Sequence, residues 1–104
     1  MKKMKPKENE LFLVVGAKHY DDIVAEVKNK EWRTINPYWT RRIYDRRPTV
    51  VRFQRGYQKV QSRYKIYRIT LADKDYAEYR LTNFVPDGFN PVYFCIWIGD
   101  RLED

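Results

Sequence analysis

The stretch from Lys28 to Arg68 is rich in side chains that could bind a polyanion. It holds 13 basic residues against two acidic ones, Glu31 and Asp45, for a net charge of +11. The rest of the chain holds 8 basic and 12 acidic residues, so the overall charge of +7 is concentrated in this stretch. Such asymmetry is typical of a nucleic-acid-binding surface, with an ordinary solvated surface as the simpler alternative.

The types of side chain in this stretch favour contacts with phosphates and bases. Arginine outnumbers lysine nine to four, and its planar guanidinium suits bidentate phosphate binding and stacking. Aromatic rings beside cations are typical of sites for single-stranded RNA or nucleotides, although half of these rings could belong to the core. The interleaved aromatic residues are Trp32, Tyr38, Trp39, Tyr44, Phe53, Tyr57, Tyr64 and Tyr67.

Other kinds of site lack the residues they need. His19 is the only histidine and has no Cys or His partner at ligand spacing, so no metal site is predicted. Cys95, the only cysteine, lies in an apolar run and is predicted to be a buried core residue, not a reactive thiol. The four glycines are not grouped into a phosphate-binding loop, and no cofactor is predicted.

The chain has the length of one domain. Residues 1–10 are predicted to form a flexible basic tail, and residues 11–104 a single domain. No apolar run approaches the roughly 20 residues that cross a membrane, and the first ten residues do not resemble a signal peptide. We therefore expect no membrane association and a cytoplasmic location.

Two helices and a first strand are predicted in the amino-terminal half. The apolar run Leu11–Val15 indicates a buried strand. An apolar stripe at helical spacing then predicts a helix over His19–Lys28. The stripe consists of Tyr20, Ile23, Val24 and Val27. Asn36, followed by proline, is a helix cap that predicts a second helix over Pro37–Asp45, with a short strand between the two helices.

The carboxy-terminal half is predicted to be mostly strands. The strands are Thr49–Gln54, Arg63–Leu71 and Val92–Ile98, the last of them apolar enough to lie at the centre of a sheet and followed by a turn at Gly99. Residues 73–79 are a loop or a short helical turn, and residues 86–88 (P-D-G) form a turn. This order predicts an α+β fold, a small β-barrel or half-barrel with two short helices at its ends.

Residues 26–33 (E-V-K-N-K-E-W-R) resemble the G-x-K-x-x-E-x-R motif of the ASCH domain family. Lys28, Glu31 and Arg33 match the motif in identity and spacing, and Glu26 stands at the glycine position. The preceding segment G-A-K-H-Y-D-D-I is similar to the segment that leads into the motif helix in many small members. The P-Y-W segment with Arg41 and Arg42, and the later V-R-F and G-Y segments, resemble a bacterial and phage branch, so that the resemblance covers about residues 11–102.

The resemblance implies a PUA-like β-barrel with a ligand cleft beside the motif. In this fold the cleft generally binds RNA or a modified nucleoside, and some family members resemble amidohydrolases acting on acylated cytidine. Lys28 would then be a base or nucleophile, because a neighbouring arginine in a partly buried pocket disfavours the ammonium form. Glu31 would tune Lys28 or bind substrate, and Arg33 would bind phosphate or an oxyanion. The amidohydrolase-like members carry Thr at the Glu31 position and use a later acid, for which Glu78 is the candidate here.

The leading hypothesis is therefore an ASCH-like domain that binds RNA or a nucleotide through a basic cleft at this segment. The residues expected to bind are Lys28, Lys30, Arg33, Trp39, Arg41, Arg42, Arg52, Arg55 and Tyr57. A small hydrolase of the amidohydrolase or ribonuclease type, with Lys28 and Glu31 as catalytic residues, is one alternative. A phage-type protein-interaction or inhibitor module is another. Lys28, Glu31 and Arg33 could also be only a surface ion-pair cluster.

Overall fold

The computed structural model describes residues 9–102 and shows an α+β fold built on one curled, half-barrel sheet with two short helices. The strands are β1 (Glu10–Val15), β2 (Lys30–Thr34), β3 (Val50–Arg55), β4 (Gln61–Ala72), β5 (Glu78–Arg80) and β6 (Tyr93–Leu102). The helices are α1 (Ala17–Val24) and α2 (Pro37–Trp39), and α2 continues as a π-helix over Thr40–Asp45. The predicted α+β class, with a half-barrel and two short helices, is confirmed.

The sheet follows the order β1-β3-β4-β6-β2, and β5 pairs with the end of β4. Only β1 and β3 are parallel. The long strand β4 pairs with β3 through its first half and with β6 through most of its length, and its register with β6 shifts between Tyr64 and Arg68. Such irregularities bend a strand and increase its twist, which curls the sheet.

The core lies on the concave face of the sheet, under α1 and α2. Successive strand residues point to opposite faces, so alternate residues of β1, β3, β4 and β6 enter this core. The buried cluster comprises Leu11, Leu13, Val15, Tyr20, Ile23, Ile43, Val51, Phe53, Tyr64, Leu71, Phe94 and Ile96. The remaining strand positions point to the outer face, which carries exposed residues such as Phe12 and Val14 and also buried ones such as Val50, Thr70 and Cys95.

Helix α1 ends earlier than the apolar stripe predicts. It stops at Val24, and the amides of Glu26 and Val27 donate to the carbonyls of Ile23 (3.1 Å) and Asp22 (2.9 Å). These two bonds form a Schellman motif, in which Glu26 takes the left-handed conformation with φ of 62°. The predicted boundary at Lys28 is therefore wrong, and Val27 is 77% exposed instead of packed.

Helix α2 begins where the sequence predicts. The Asn36 side chain accepts a hydrogen bond from the amide of Trp39 at 2.9 Å, and Pro37 occupies the first turn. Ile43, in the π-helical part, is fully buried and anchors the segment to the core. The helical segment extends to Asp45, as predicted.

Several strand boundaries also differ from those predicted, and β5 begins inside the segment 73–79 that was predicted to be a loop or helical turn. Glu10, placed in the predicted tail, is the first residue of β1, whereas residues 1–8 of that tail lie outside the described residues. The turn expected at Gly99 is absent, because β6 continues to Leu102. Glycine is needed there for close approach, since a Cβ at Gly99 would lie 3.0 Å from the Lys65 carbonyl oxygen. β6 is an interior strand, although β4 is the middle one.

Candidate nucleic-acid interface

Glu31 is a buried carboxylate that holds both matching cations of the motif. Its Oε1 lies 2.7 Å from Lys28 Nζ, and its Oε2 lies 2.9 Å from Arg33 Nη1. A carboxylate is costly to bury unless it is paired, and these two partners satisfy both of its oxygens. The three side chains therefore form one ion-pair network near the start of β2, around its buried residue Glu31.

Arg33 also links the two edge strands of the half-barrel. Its guanidinium donates to the carbonyl of Trp32 on β2 at 2.8 Å and to the carbonyl of Val14 on β1 at 3.3 Å. The same group lies 5.5 Å from the centre of the Trp39 ring. The Arg33 and Trp39 side chains therefore lie together, between the two edge strands of the sheet.

Lys28 lies beside a cleft of about 310 Å³ at the end of α1. Its Nζ donates to Glu31 and lies 3.2 Å from His19 Nδ1, which accepts when the ring carries its proton on Nε2. Asn29 and Arg101 line the same cleft, as does Tyr64, whose buried hydroxyl has no hydrogen-bond partner among residues 9–102. The Lys28 amino group is therefore engaged by two neighbouring side chains, Glu31 and His19.

Lys30 points to the opposite face of the sheet from Glu31 and Arg33. Its Nζ lies 2.7 Å from Glu78 Oε2 and 4.0 Å from the centre of the Trp97 ring. Burial opposes ionisation of Glu78, but hydrogen bonds from Lys30, Thr70 and Trp97 outweigh it and lower the pKa of this carboxyl. Glu78, proposed from the sequence as a partner acid for Lys28, contacts Lys30 instead.

A third group of cations lies where α2 meets β1. The Arg42 guanidinium stacks 3.5 Å from the centre of the Tyr38 ring. Arg42 and Tyr38 line a cleft of about 190 Å³ together with Arg46 and Phe12. Phe12 and Tyr38 are 46% and 55% exposed, so two ring surfaces lie open beside two arginines.

Glu10 connects this cleft to two arginines on the outer face of the sheet. Its carboxylate lies 2.8 Å from Arg52 Nε and 2.9 Å from Arg63 Nε, and Arg52 also donates to the Gln61 side chain. Burial opposes ionisation of Glu10, but the bonds from Arg52 and Arg63 outweigh it and lower its pKa. We refer to this surface as the arginine face. It consists of Glu10, Phe12, Tyr38, Arg42, Arg46, Arg52 and Arg63.

The other predicted binding residues are scattered. Arg41 is exposed on the π-helix and makes no hydrogen bond or ion pair with residues 9–102. Arg55 forms a bidentate pair with Asp21 at 2.9 and 3.0 Å, which ties β3 to α1. Tyr57 is fully exposed in the turn after β3. The predicted residues therefore do not share one cleft, and only Arg42 and Arg52 belong to the arginine face.

The predicted binding residues did not include five members of the arginine face, which are Glu10, Phe12, Tyr38, Arg46 and Arg63. Phe12 lies within the apolar run L-F-L-V-V, where the alternation between buried and exposed positions is hidden because every residue is apolar. No pattern in the sequence indicates that the Trp97 and Glu78 side chains are in contact. One pattern in the sequence could have indicated Arg63. Residues alternate between the two faces of β4, so Arg63 and the buried Tyr64 point to opposite faces.

Other kinds of site would need a reactive cysteine, a group of metal ligands or a membrane-spanning helix. Cys95 is buried, and burial raises the pKa of its thiol to about 12, which keeps it protonated. Within residues 9–102, no three His, Cys, Asp or Glu side chains are grouped to hold a metal ion. None of the described helices has the length and apolar character to cross a membrane. Comparison with protein-family models, curated proteins and solved structures gives no match to this chain.

Proposed function

We propose that this protein binds single-stranded nucleic acid, RNA or a nucleotide, through the arginine face. The observation that carries the proposal is the pair of open rings, Phe12 and Tyr38, beside four arginines. Bases stack on exposed rings whatever their identity, and guanidinium groups bind the phosphates between them. The only carboxylate of the face is Glu10, so the surface as defined has a net charge of +3.

We also propose that the chain is a PUA-like domain of the ASCH type that acts in the cytoplasm. The backbone at Glu26 supports this assignment, because the motif has glycine at this position and Glu26 adopts the left-handed angles that glycine favours. The Schellman motif around Glu26 gives a physical reason for the glycine in the motif. The ion-pair network of Lys28, Glu31 and Arg33 gives the other motif residues a structural role.

The direct test is fluorescence-anisotropy binding to short single-stranded RNA and DNA at low and high salt. We expect binding that weakens steeply with salt, and at least about a tenfold loss when Arg42 and Arg46 are both changed to Ala, since two charge-assisted phosphate contacts are removed. Arg101→Ala is the matched control, because it removes an exposed arginine of β6 that lies outside the arginine face.

The same experiment separates the alternative functions. If neither RNA nor DNA binds at low salt, the basic surface is better explained as a protein-interaction or inhibitor module. A hydrolase would require Lys28, so Lys28→Ala would abolish turnover of a modified nucleoside while leaving strand binding at the arginine face intact. Because Lys28 is engaged by Glu31 and His19, we expect no such turnover in the native protein.

A further inference from the structure

A third cleft, of about 390 Å³, lies on the outer face of the sheet, where β4, β5 and β6 meet. Arg68, Arg80, Glu78, Thr70 and Trp97 supply its polar and aromatic lining. None of these residues belongs to the arginine face or to the Lys28 cleft. The volume falls in the range of about 300–1,000 Å³ that is typical of small-molecule sites.

Trp97 stands between two cations in a row that crosses three strands. Its register partners are Lys30 on β2 and Arg68 on β4, and their charged groups lie 4.0 and 4.9 Å from the centre of the indole ring. The indole Nε1–H donates to Glu78 Oε1 at 2.7 Å, which fixes the orientation of the ring. The Trp97 ring and the Arg68 guanidinium therefore form a positioned wall of the cleft.

The cleft holds both unused donors and an unused acceptor. Arg68 and Arg80 make no hydrogen bond or ion pair with any residue of the described chain, so both guanidinium groups can bind an anion. Glu78 Oε1 accepts from Thr70 and Trp97, whereas Oε2 accepts only from Lys30. Because each carboxylate oxygen accepts about two bonds, Oε2 retains one position for a ligand donor.

We propose that this cleft binds a nucleoside monophosphate, with its phosphate at Arg68 and Arg80 and an amino-bearing base edge at Glu78. A simple anion fits less well, because the Glu78 carboxylate repels negative charge, while a ligand with a donor edge satisfies it. Adenine, cytosine and guanine carry an exocyclic amino group, whereas uracil does not. The site is distinct from the arginine face, and either can fail without the other.

The test is calorimetric titration of the purified protein with AMP, CMP, GMP, UMP and inorganic phosphate. We expect the amino-bearing nucleotides to bind more tightly than UMP, and all nucleotides to bind more tightly than phosphate. Arg68→Ala combined with Arg80→Ala should weaken nucleotide binding at least about tenfold, since two charge-assisted contacts are lost. Glu78→Gln should reduce the preference over UMP, because an amide offers a weaker acceptor.

Two controls keep the result specific. The Lys59→Ala variant, which changes an exposed residue outside the cleft and the arginine face, should bind nucleotides normally, and the Arg68→Ala, Arg80→Ala variant should still bind RNA strands. Both cleft arginines are exposed, so thermal melting should show the double variant folded. Equal affinity for phosphate and nucleotides would overturn the base contact at Glu78, and an absence of binding by every ligand would overturn the site.

Discussion

At the scale of single residues, Glu31 is a buried carboxylate that joins two cations of the same segment. It accepts from Lys28 and Arg33, and Arg33 in turn bridges β1 and β2. Removing one partner of a buried ion pair leaves uncompensated charge and costs about 3–5 kcal/mol when burial is complete. The two cations here keep about a fifth of their side-chain exposure, which lowers that cost.

We therefore expect Glu31→Gln to destabilise the fold by roughly 2–3 kcal/mol, measured by urea denaturation. Asp75→Asn is the control, since the Lys74–Asp75 pair is exposed on both sides and such pairs contribute little. Equal effects of the two substitutions would show that the network around Glu31 contributes no more than a surface pair.

The pH dependence of stability should reflect Glu10. Its pKa in the folded protein lies below the ordinary 4.5, because the bonds from Arg52 and Arg63 outweigh burial. The stabilising contribution is therefore complete above pH 4.5 and is lost as the pH falls through the lowered value. Melting curves between neutral pH and pH 3 should show a shallower acid loss in Glu10→Gln than in the native protein. An unchanged acid profile would contradict this assignment.

At the scale of elements, the end of α1 carries a local strain that one substitution should relieve. A residue other than glycine in the left-handed conformation costs about 1–2 kcal/mol, of which glycine's larger unfolded-state entropy offsets about 0.5–1. Glu26→Gly should therefore stabilise the protein by about 0.5–1 kcal/mol, seen as a higher Tm. Glu26→Ala retains the strain and serves as the control. A Tm that falls with glycine would contradict the account.

The elements could be predicted from the sequence better than the site could. The cap at Asn36 and the turn at Gly88 depend on neighbouring residues, and the structure has them where expected. The end of α1 could not be read from the apolar stripe, because the left-handed turn at Glu26 involves a residue that gives no signal for it.

The prediction placed Lys28, Lys30 and Arg33 in one cleft, but the alternation of side chains along β2 separates Lys30 from the other two. A strand alternates its faces, and Lys30 accordingly points away from Glu31 and Arg33 toward Trp97. The arginine face combines β1, β3, β4 and α2, which are brought together by tertiary structure alone. No spacing along the chain predicts such a surface.

At the scale of the whole molecule, the basic residues lie on several surfaces that differ in their exposure and in their ion pairs. The arginine face is open, with exposed rings and a carboxylate that neutralises part of its charge. Glu10→Gln should therefore increase affinity for single-stranded RNA by a few fold at low salt, although it lowers stability, because it removes the negative charge beside Arg52 and Arg63. A loss of affinity in a folded Glu10→Gln variant would place the binding surface elsewhere.

The most direct test of the central claim is the slope of log affinity against log salt for single-stranded RNA. Each phosphate contact contributes about −0.7 to this slope. The native protein should show a slope of several such units, and Arg42→Ala with Arg46→Ala should reduce its magnitude by about 1.4, while Arg101→Ala leaves it nearly unchanged. Equal slopes in the native protein and the double variant would contradict phosphate binding at the arginine face.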